Sequence, residues 1–213
     1  MEMIGESCLL WRLGTGPSLA NTQRVHRAYR RLERARAEGR LEVHDVVPAY
    51  DSLAIHFDPL AIEVGRLQAQ VETWLREAEN DDQSHDESTA LQTVTLTVNY
   101  DGPDLQRVAD HAGLSREEVV ACHTAPTYTV AAIGFMPHFP YLLGLDPLLA
   151  TPRLASPRVR VSAGAVGIGG DQTGVYPQDS PGGWNLIGTT DPERLQALRP
   201  GDHLRFAASE GGV

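Results

Sequence analysis

The chain has 213 residues, 41% hydrophobic and 22% charged, with a formal net charge of -10 at pH 7. That length supports one large domain or two small ones, each with a real core. The acidic balance speaks against nucleic acid, whose phosphates need a basic surface, and no apolar run approaches the roughly 20 residues that span a bilayer.

The opening residues MEMIGESCLLWRLG lack the succession of charged, apolar and small residues that marks a secretory signal. Cys8 and Cys122 lie far apart, with neither disulfide-framework nor zinc spacing. A cytoplasmic protein without a metal site is the expectation. Residues 7–13 form a short apolar run ended by the turn Gly14-Thr15-Gly16-Pro17, which predicts a buried strand. A helix is predicted over 19–38, with Val25, Tyr29 and Leu32 on one face, arginines on the other and Gly39 closing it. Residues 41–47 and 52–57 read as strands separated by Pro48-Ala49-Tyr50-Asp51. Asp58-Pro59 then opens a second helix. Leu60, Val64, Leu67, Val71, Trp74 and Leu75 recur on it at helical spacing and read as core. This order predicts a small α+β sandwich with helices on one sheet face. The acidic, aperiodic stretch 79–88 reads as a linker, with His85 a solvated loop residue. It divides the chain into domains 1–85 and 86–213.

Beyond the linker, 91–99 alternates cleanly, with Val94, Leu96 and Val98 against Thr93, Thr95 and Thr97, as a half-buried strand does. Asp104 is placed to cap a short helix running to His111. Ser115-Arg116-Glu117-Glu118 matches the capping box and starts another helix over 116–123. His123 ends that helix, where the dipole favours it. A strand follows at 128–133, then short strands at 159–161, 165–168, 174–176, 185–189 and 203–207 between Gly/Pro turns. That punctuation predicts a small β-barrel or sandwich.

Residues 134–190 are the densest in chemistry. Arg153, Arg158 and Arg160 fall between Asp146 and Asp171 with no acidic residue intervening. The excess of positive charge fits a solvated loop or, given the surrounding Gly, Pro and Gln, a pocket for a small anion. Repeated Pro-Arg pairs stiffen the backbone that carries the guanidinium groups, which suit bidentate binding of carboxylate or phosphate. Gln172, Thr173 and Tyr176 offer neutral hydrogen-bonding groups. The Gly182-Gly183 backbone can approach a ligand closely, and Trp184 is a pocket wall or simply core. His138 is a loop histidine beside aromatics, counted with the three arginines as a candidate catalytic residue. All 18 basic residues are arginine, so no lysine is available for a Schiff base, a phosphate loop or biotin attachment. Gly167-x-Gly169 lacks the third glycine and following helix of a dinucleotide loop.

These residues resemble a known family. The match runs through Gly134-Phe135-x-Pro137-x-Phe139-Pro140-Tyr141-Leu142, Gly144-Leu145-Asp146-Pro147, Thr151-Pro152-Arg153, Pro157-Arg158-x-Arg160-Val161, Ala163-Gly164-x-Val166-Gly167-Ile168, Gln172-Thr173-Gly174-x-Tyr176-Pro177 and Ser180-Pro181-Gly182-Gly183-Trp184. It extends upstream to Val47-Pro48-x-Tyr50-x-Ser52-Leu53 and His123-x-Ala125-Pro126, and downstream to Arg199-Pro200-Gly201-Asp202. The chain resembles the family of the 5-oxoprolinase B subunit, also called KipI, allophanate hydrolase subunit 1 or carboxyltransferase subdomain C/D. The resemblance implies a ferredoxin-like α+β domain followed by a cyclophilin-like β-barrel. It also implies ATP-dependent opening of 5-oxo-L-proline to L-glutamate, with the KipA-like C subunit and the A subunit of 5-oxoprolinase as partners. ATP is then bound in complex with these partners, and this chain carries no biotin. Arg153, Arg158 and Arg160 are expected to hold the carboxylate or phosphoryl group. Gln172, Thr173, Tyr176, Gly182 and Gly183 are expected to orient the lactam. The chain departs from the family at His138, Ser162 and Ala165, where glycine, proline and serine are usual. The alternatives are inhibition of a sensor histidine kinase, or half of a urea/allophanate-type carboxyltransferase.

Overall fold

The computed structural model describes residues 1–80 and 91–209, in two compact units, 1–90 and 91–213. The predicted linker from 81 onward, the boundary near 85 and His85 lie outside the described residues.

In the first unit β1 (Glu2–Ile4) and β2 (Cys8–Arg12) lead into α1 (Leu19–Ala37). Then come β3 (Asp45–Ala49), β4 (Ser52–His56) and α2 (Val64–Asn80). The sheet order is β1-β2-β4-β3, every pair antiparallel. Ser18 starts α1 by accepting the Asn21 N–H at 3.1 Å, and Gly39, at a φ of 71°, ends it. Alternation along β2 and β4 sends Leu9, Trp11, Leu53 and Ile55 into one core with Val25, Leu32, Leu67 and Val71 from the helices. Two expectations shift. The second helix starts at Val64, where the Glu63 carboxylate accepts the Gly65 and Arg66 N–H groups, so Leu60 is 96% exposed and no part of the core. Pro48 belongs to β3 rather than to a turn, which the sheet tolerates because β3 is an edge strand. β1 carries no periodic signal of its own.

The second unit follows the order β5 (Thr93–Val98), α3 (Leu105–Ala112), α4 (Arg116–Thr124), β6 (Tyr128–Ile133) and β7 (Pro140–Leu143). After these come β8 (Arg158–Val161), β9 (Ala165–Gly169), β10 (Gln172–Val175), β11 (Ser180–Gly182), β12 (Asn185–Thr189) and β13 (His203–Ala208). Seven strands form one sheet, β12-β9-β10-β7-β6-β13-β5. Its two ends meet where Asn99 and Thr189 exchange both backbone hydrogen bonds at 2.8 Å. The sheet therefore closes into a barrel. β5 and β13 run parallel. Leu96, Val98, Val130, Leu142, Val166, Ile168, Val175, Leu204 and Phe206 fill the core, with Val108 and Val119 from the helices. β8 and β11 form a separate two-stranded ribbon.

α4 carries the predicted capping box: Glu118 N–H to Ser115 Oγ at 3.1 Å, and Ser115 N–H to Glu118 Oε2 at 2.7 Å. α3 differs from expectation. Asp104 occupies the N-cap position of α3 but makes no side-chain cap bond; its carboxylate is engaged by Arg158 and the Leu186 N–H instead.

Candidate ligand pocket on the barrel

A cavity of about 290 Å³ opens where β7, β11, Tyr176 just after β10, and the loops before β7, β8 and β12 converge. Its walls are largely aromatic. Phe139 lies 5.0 Å from Tyr141, 5.2 Å from Tyr176 and 5.5 Å from Trp184, ring centre to ring centre, each edge to face. Glycines seat these rings. A Cβ at Gly169 would stand 2.5 Å from the Trp184 indole, and one at Gly182 would collide with the Tyr176 hydroxyl. Trp184 is thus both core and wall, buried yet lining the cavity. Burial pushes the Tyr176 hydroxyl pKa up, opposed by a hydrogen bond with the Trp184 backbone and the Arg153 and Arg158 charges. It stays protonated at neutral pH.

Of the three candidate arginines, Arg153 alone lines this cavity. Its guanidinium sits 5.8 Å from the Trp184 ring centre. Among the described residues Arg153 makes no ion pair or hydrogen bond. Arg158 is paired: Nη2 donates to Asp104 Oδ1 at 2.7 Å, while Asp104 Oδ2 accepts the Leu186 N–H at 2.7 Å. Arg160 is paired with Asp179 at 2.6 Å, on the surface. Asp179 also accepts the Ala163 N–H, and these two bonds, the backbone one first, pull its pKa down. The clustering of arginines in sequence therefore yields one cation facing the cavity and two engaged by carboxylates.

The polar candidates separate in the same way. Tyr176, Gly182, Gly183 and Trp184 line the cavity. Gln172 starts β10, is half-buried and lies outside the lining. Thr173 is fully buried inside the barrel, where its Oγ1 donates to the Gly167 carbonyl at 3.0 Å. That leaves Thr173 Oγ1 to accept from His123 Nε2, 2.9 Å away, so His123 Nδ1 accepts from the Tyr100 hydroxyl at 2.8 Å. Desolvation pushes the His123 pKa down to about 3. His123 is accordingly a neutral core residue, not a helix-end cation responding to the dipole, and Thr173 serves that chain of hydrogen bonds rather than a ligand. His138 is exposed and outside the lining, with a φ of 66°. The left-handed region is the one glycine enters freely, which gives a backbone reason for the glycine usual there.

Sequence reasoning missed Phe135, Phe139, Tyr141, Leu154, Pro157 and Pro181 as lining residues. For Phe135, Phe139 and Tyr141 the signal was the crowding of aromatics and prolines between 135 and 141. Among the described residues no group of three or more His, Cys, Asp or Glu side chains could hold a metal ion, and no helix is long and apolar enough to cross a membrane.

The barrel thus carries an open, largely aromatic cup with one guanidinium, that of Arg153, at its wall. The chain belongs to the carboxyltransferase domain, subdomain C and D, family, whose model matches residues 1–200. It is 37% identical to the 5-oxoprolinase B subunit of Escherichia coli O157:H7 over 99% of this chain and 96% of the relative. It is 35% identical to that of Bacillus subtilis (strain 168) over 97% of this chain and 91% of the relative. Among solved structures, that of TTHA0988 superposes with a TM-score of 0.79 at 39% identity, covering 96% of this chain and 40% of that one.

Proposed function

We propose that this chain is the B subunit of an ATP-dependent 5-oxoprolinase, opening 5-oxo-L-proline to L-glutamate together with the A and C subunits of that enzyme. The observation that carries the reading is the Arg153 guanidinium over Trp184 at an aromatic cup, unpaired among the described residues. A lactam carboxylate offers one anionic group and one flat ring, and the cup offers one partner for each. The Tyr176 hydroxyl and the Gly182-Gly183 backbone border the cavity at the ring's place, where they orient the lactam amide. The names of the two relatives and their near-complete coverage support the same substrate. In this reading the first unit is ferredoxin-like, the barrel cyclophilin-like and the complex cytoplasmic.

A lactam amide is resonance-stabilised, and water attacks it slowly until its oxygen is made a leaving group; phosphorylation of that oxygen by ATP supplies this. The residues of the pocket do not fit a triphosphate. The chain has no lysine, and Arg158 and Arg160 are already paired, so one guanidinium faces what would be several negative charges. We therefore assign ATP to the partner subunits, and to this chain the binding and orientation of the lactam.

The test is ATP-dependent glutamate formation from 5-oxo-L-proline by the three subunits with and without this chain, then with Arg153→Ala. Loss without the chain and a raised KM with the variant are expected. Full activity without the chain rejects the proposal. The family's name gives the second reading, half of a carboxyltransferase; transfer of carboxylate to or from biotin on a partner, unaffected by 5-oxo-L-proline, would favour it.

A further inference from the structure

Arginine side chains are long and freely rotating, so a guanidinium that meets a ligand in one place must be held by its surroundings. The Arg153 side chain is itself exposed over Trp184, and what a buried amide fixes is the backbone it springs from. Asn185, the first residue of β12, is completely buried, and its carboxamide makes three hydrogen bonds. Nδ2 donates to the Pro152 carbonyl at 3.1 Å and to the Ile168 carbonyl at 3.0 Å. Oδ1 accepts from Arg107 Nε, on α3, at 2.9 Å. Two carbonyls on one side and a guanidinium on the other fix which end is oxygen. Pro152 immediately precedes Arg153. The residue immediately after it, Leu154, donates its N–H to the Gly183 carbonyl at 2.7 Å. Arg153 is thus fastened on both sides to the segment that carries Trp184, the ring beneath its guanidinium.

We propose that Asn185 is a positioning residue for the pocket. It holds the Arg153 backbone in register with Trp184 and, through Arg107, ties that geometry to α3. The inference rests on the proposed lactam site for its kinetic consequence, but its geometric content can be read without any substrate. An apolar residue of similar shape would fill the same volume; what it would not supply is the pair of donors to Pro152 and Ile168.

The test is a double-mutant cycle between Asn185→Leu and Arg153→Ala with two readouts. The first is the ¹⁹F resonance of Trp184 in protein labelled with 5-fluorotryptophan, assigned with Trp184→Phe. Each single change shifts it, and Asn185→Leu adds nothing once Arg153 is alanine. The second is kinetics of the assembled three-subunit enzyme: Asn185→Leu raises the KM for 5-oxo-L-proline about tenfold, with kcat within about twofold, and again adds nothing to Arg153→Ala. An unmoved resonance, or an Asn185→Leu effect that persists in full without Arg153, overturns the positioning role. A coupled resonance shift with unchanged KM keeps the positioning role and counts against the lactam site instead. If Asn185→Leu does not fold, Asn185→Asp serves in the same cycle, since it keeps the shape and the Arg107 partner while removing both donors.

Discussion

The Asp104 carboxylate accepts both the Arg158 guanidinium and the Leu186 backbone N–H, each at 2.7 Å. A residue placed by sequence at the head of a helix is therefore the anchor of a pocket-bearing strand, and an arginine placed by sequence in the pocket is its counter-ion. Removing Asp104 leaves the buried Leu186 N–H unpaired and the half-buried Arg158 guanidinium with only its 3.5 Å bond to the Trp184 carbonyl, which costs about 2–3 kcal/mol. Asp104→Ala should lower the melting temperature by about 5–10 °C in calorimetry. An unchanged melting temperature would show that water replaces the carboxylate at no cost.

Arg153 and Arg160 should behave differently. If Arg153 binds the ligand carboxylate as proposed, Arg153→Ala removes a charge-assisted contact and should raise the KM for 5-oxo-L-proline about 10- to 100-fold in the assembled enzyme. Arg160→Ala breaks an exposed pair with Asp179 and should leave KM within about twofold, as surface pairs contribute little. Equal effects from the two would mean that pocket lining does not decide which arginine matters.

His123 makes stability depend on pH in a defined direction. Its pKa is pushed down to about 3 in the fold, against about 6.5 in an unfolded chain. Above pH 6.5 neither state binds the proton and the group is silent. As pH falls from 6.5 toward 3, the unfolded chain takes up a proton that the fold refuses, and stability is lost. Between pH 7 and 4.5 this amounts to about 2–3 kcal/mol. Denaturant titrations at the two pH values should show this loss beyond whatever His123→Asn shows, since the carboxylates contribute to both.

His138 holds a left-handed backbone at a φ of 66°, which costs an L-residue about 1 kcal/mol or more. His138→Gly should raise stability by about that amount, in denaturant midpoints at constant m-value. Activity is expected to hold, because the side chain does not line the cavity. A fall in activity would restore His138 as a catalytic candidate.

The strands of the barrel were legible because inward and outward residues alternate, as Val94, Leu96 and Val98 do against their threonines, and because glycines and prolines end each run. β7 was not: Pro140 opens it, and its four residues are too few to show a period. Of the residues singled out by sequence, Gly182, Gly183, Tyr176, Trp184 and Arg153 share the lining of one cavity. Sequence proximity does not show the carboxylates paired with Arg158 and Arg160, which lie 54 and 19 residues away. A local charge count has no access to such partners. Thr173 misled for a related reason. A hydroxyl beside glycines suits a ligand loop and a barrel interior alike, and the burial that separates the two is a property of the closed sheet.

The seam at Asn99 and Thr189 has a consequence for assembly. Joined there, the Asn99 and Thr189 backbone groups are spent on each other and are closed to strand addition by a neighbour. A partner that docks at that point can be met only by side chains, and those are open to point mutation, one residue at a time, without undoing the seam.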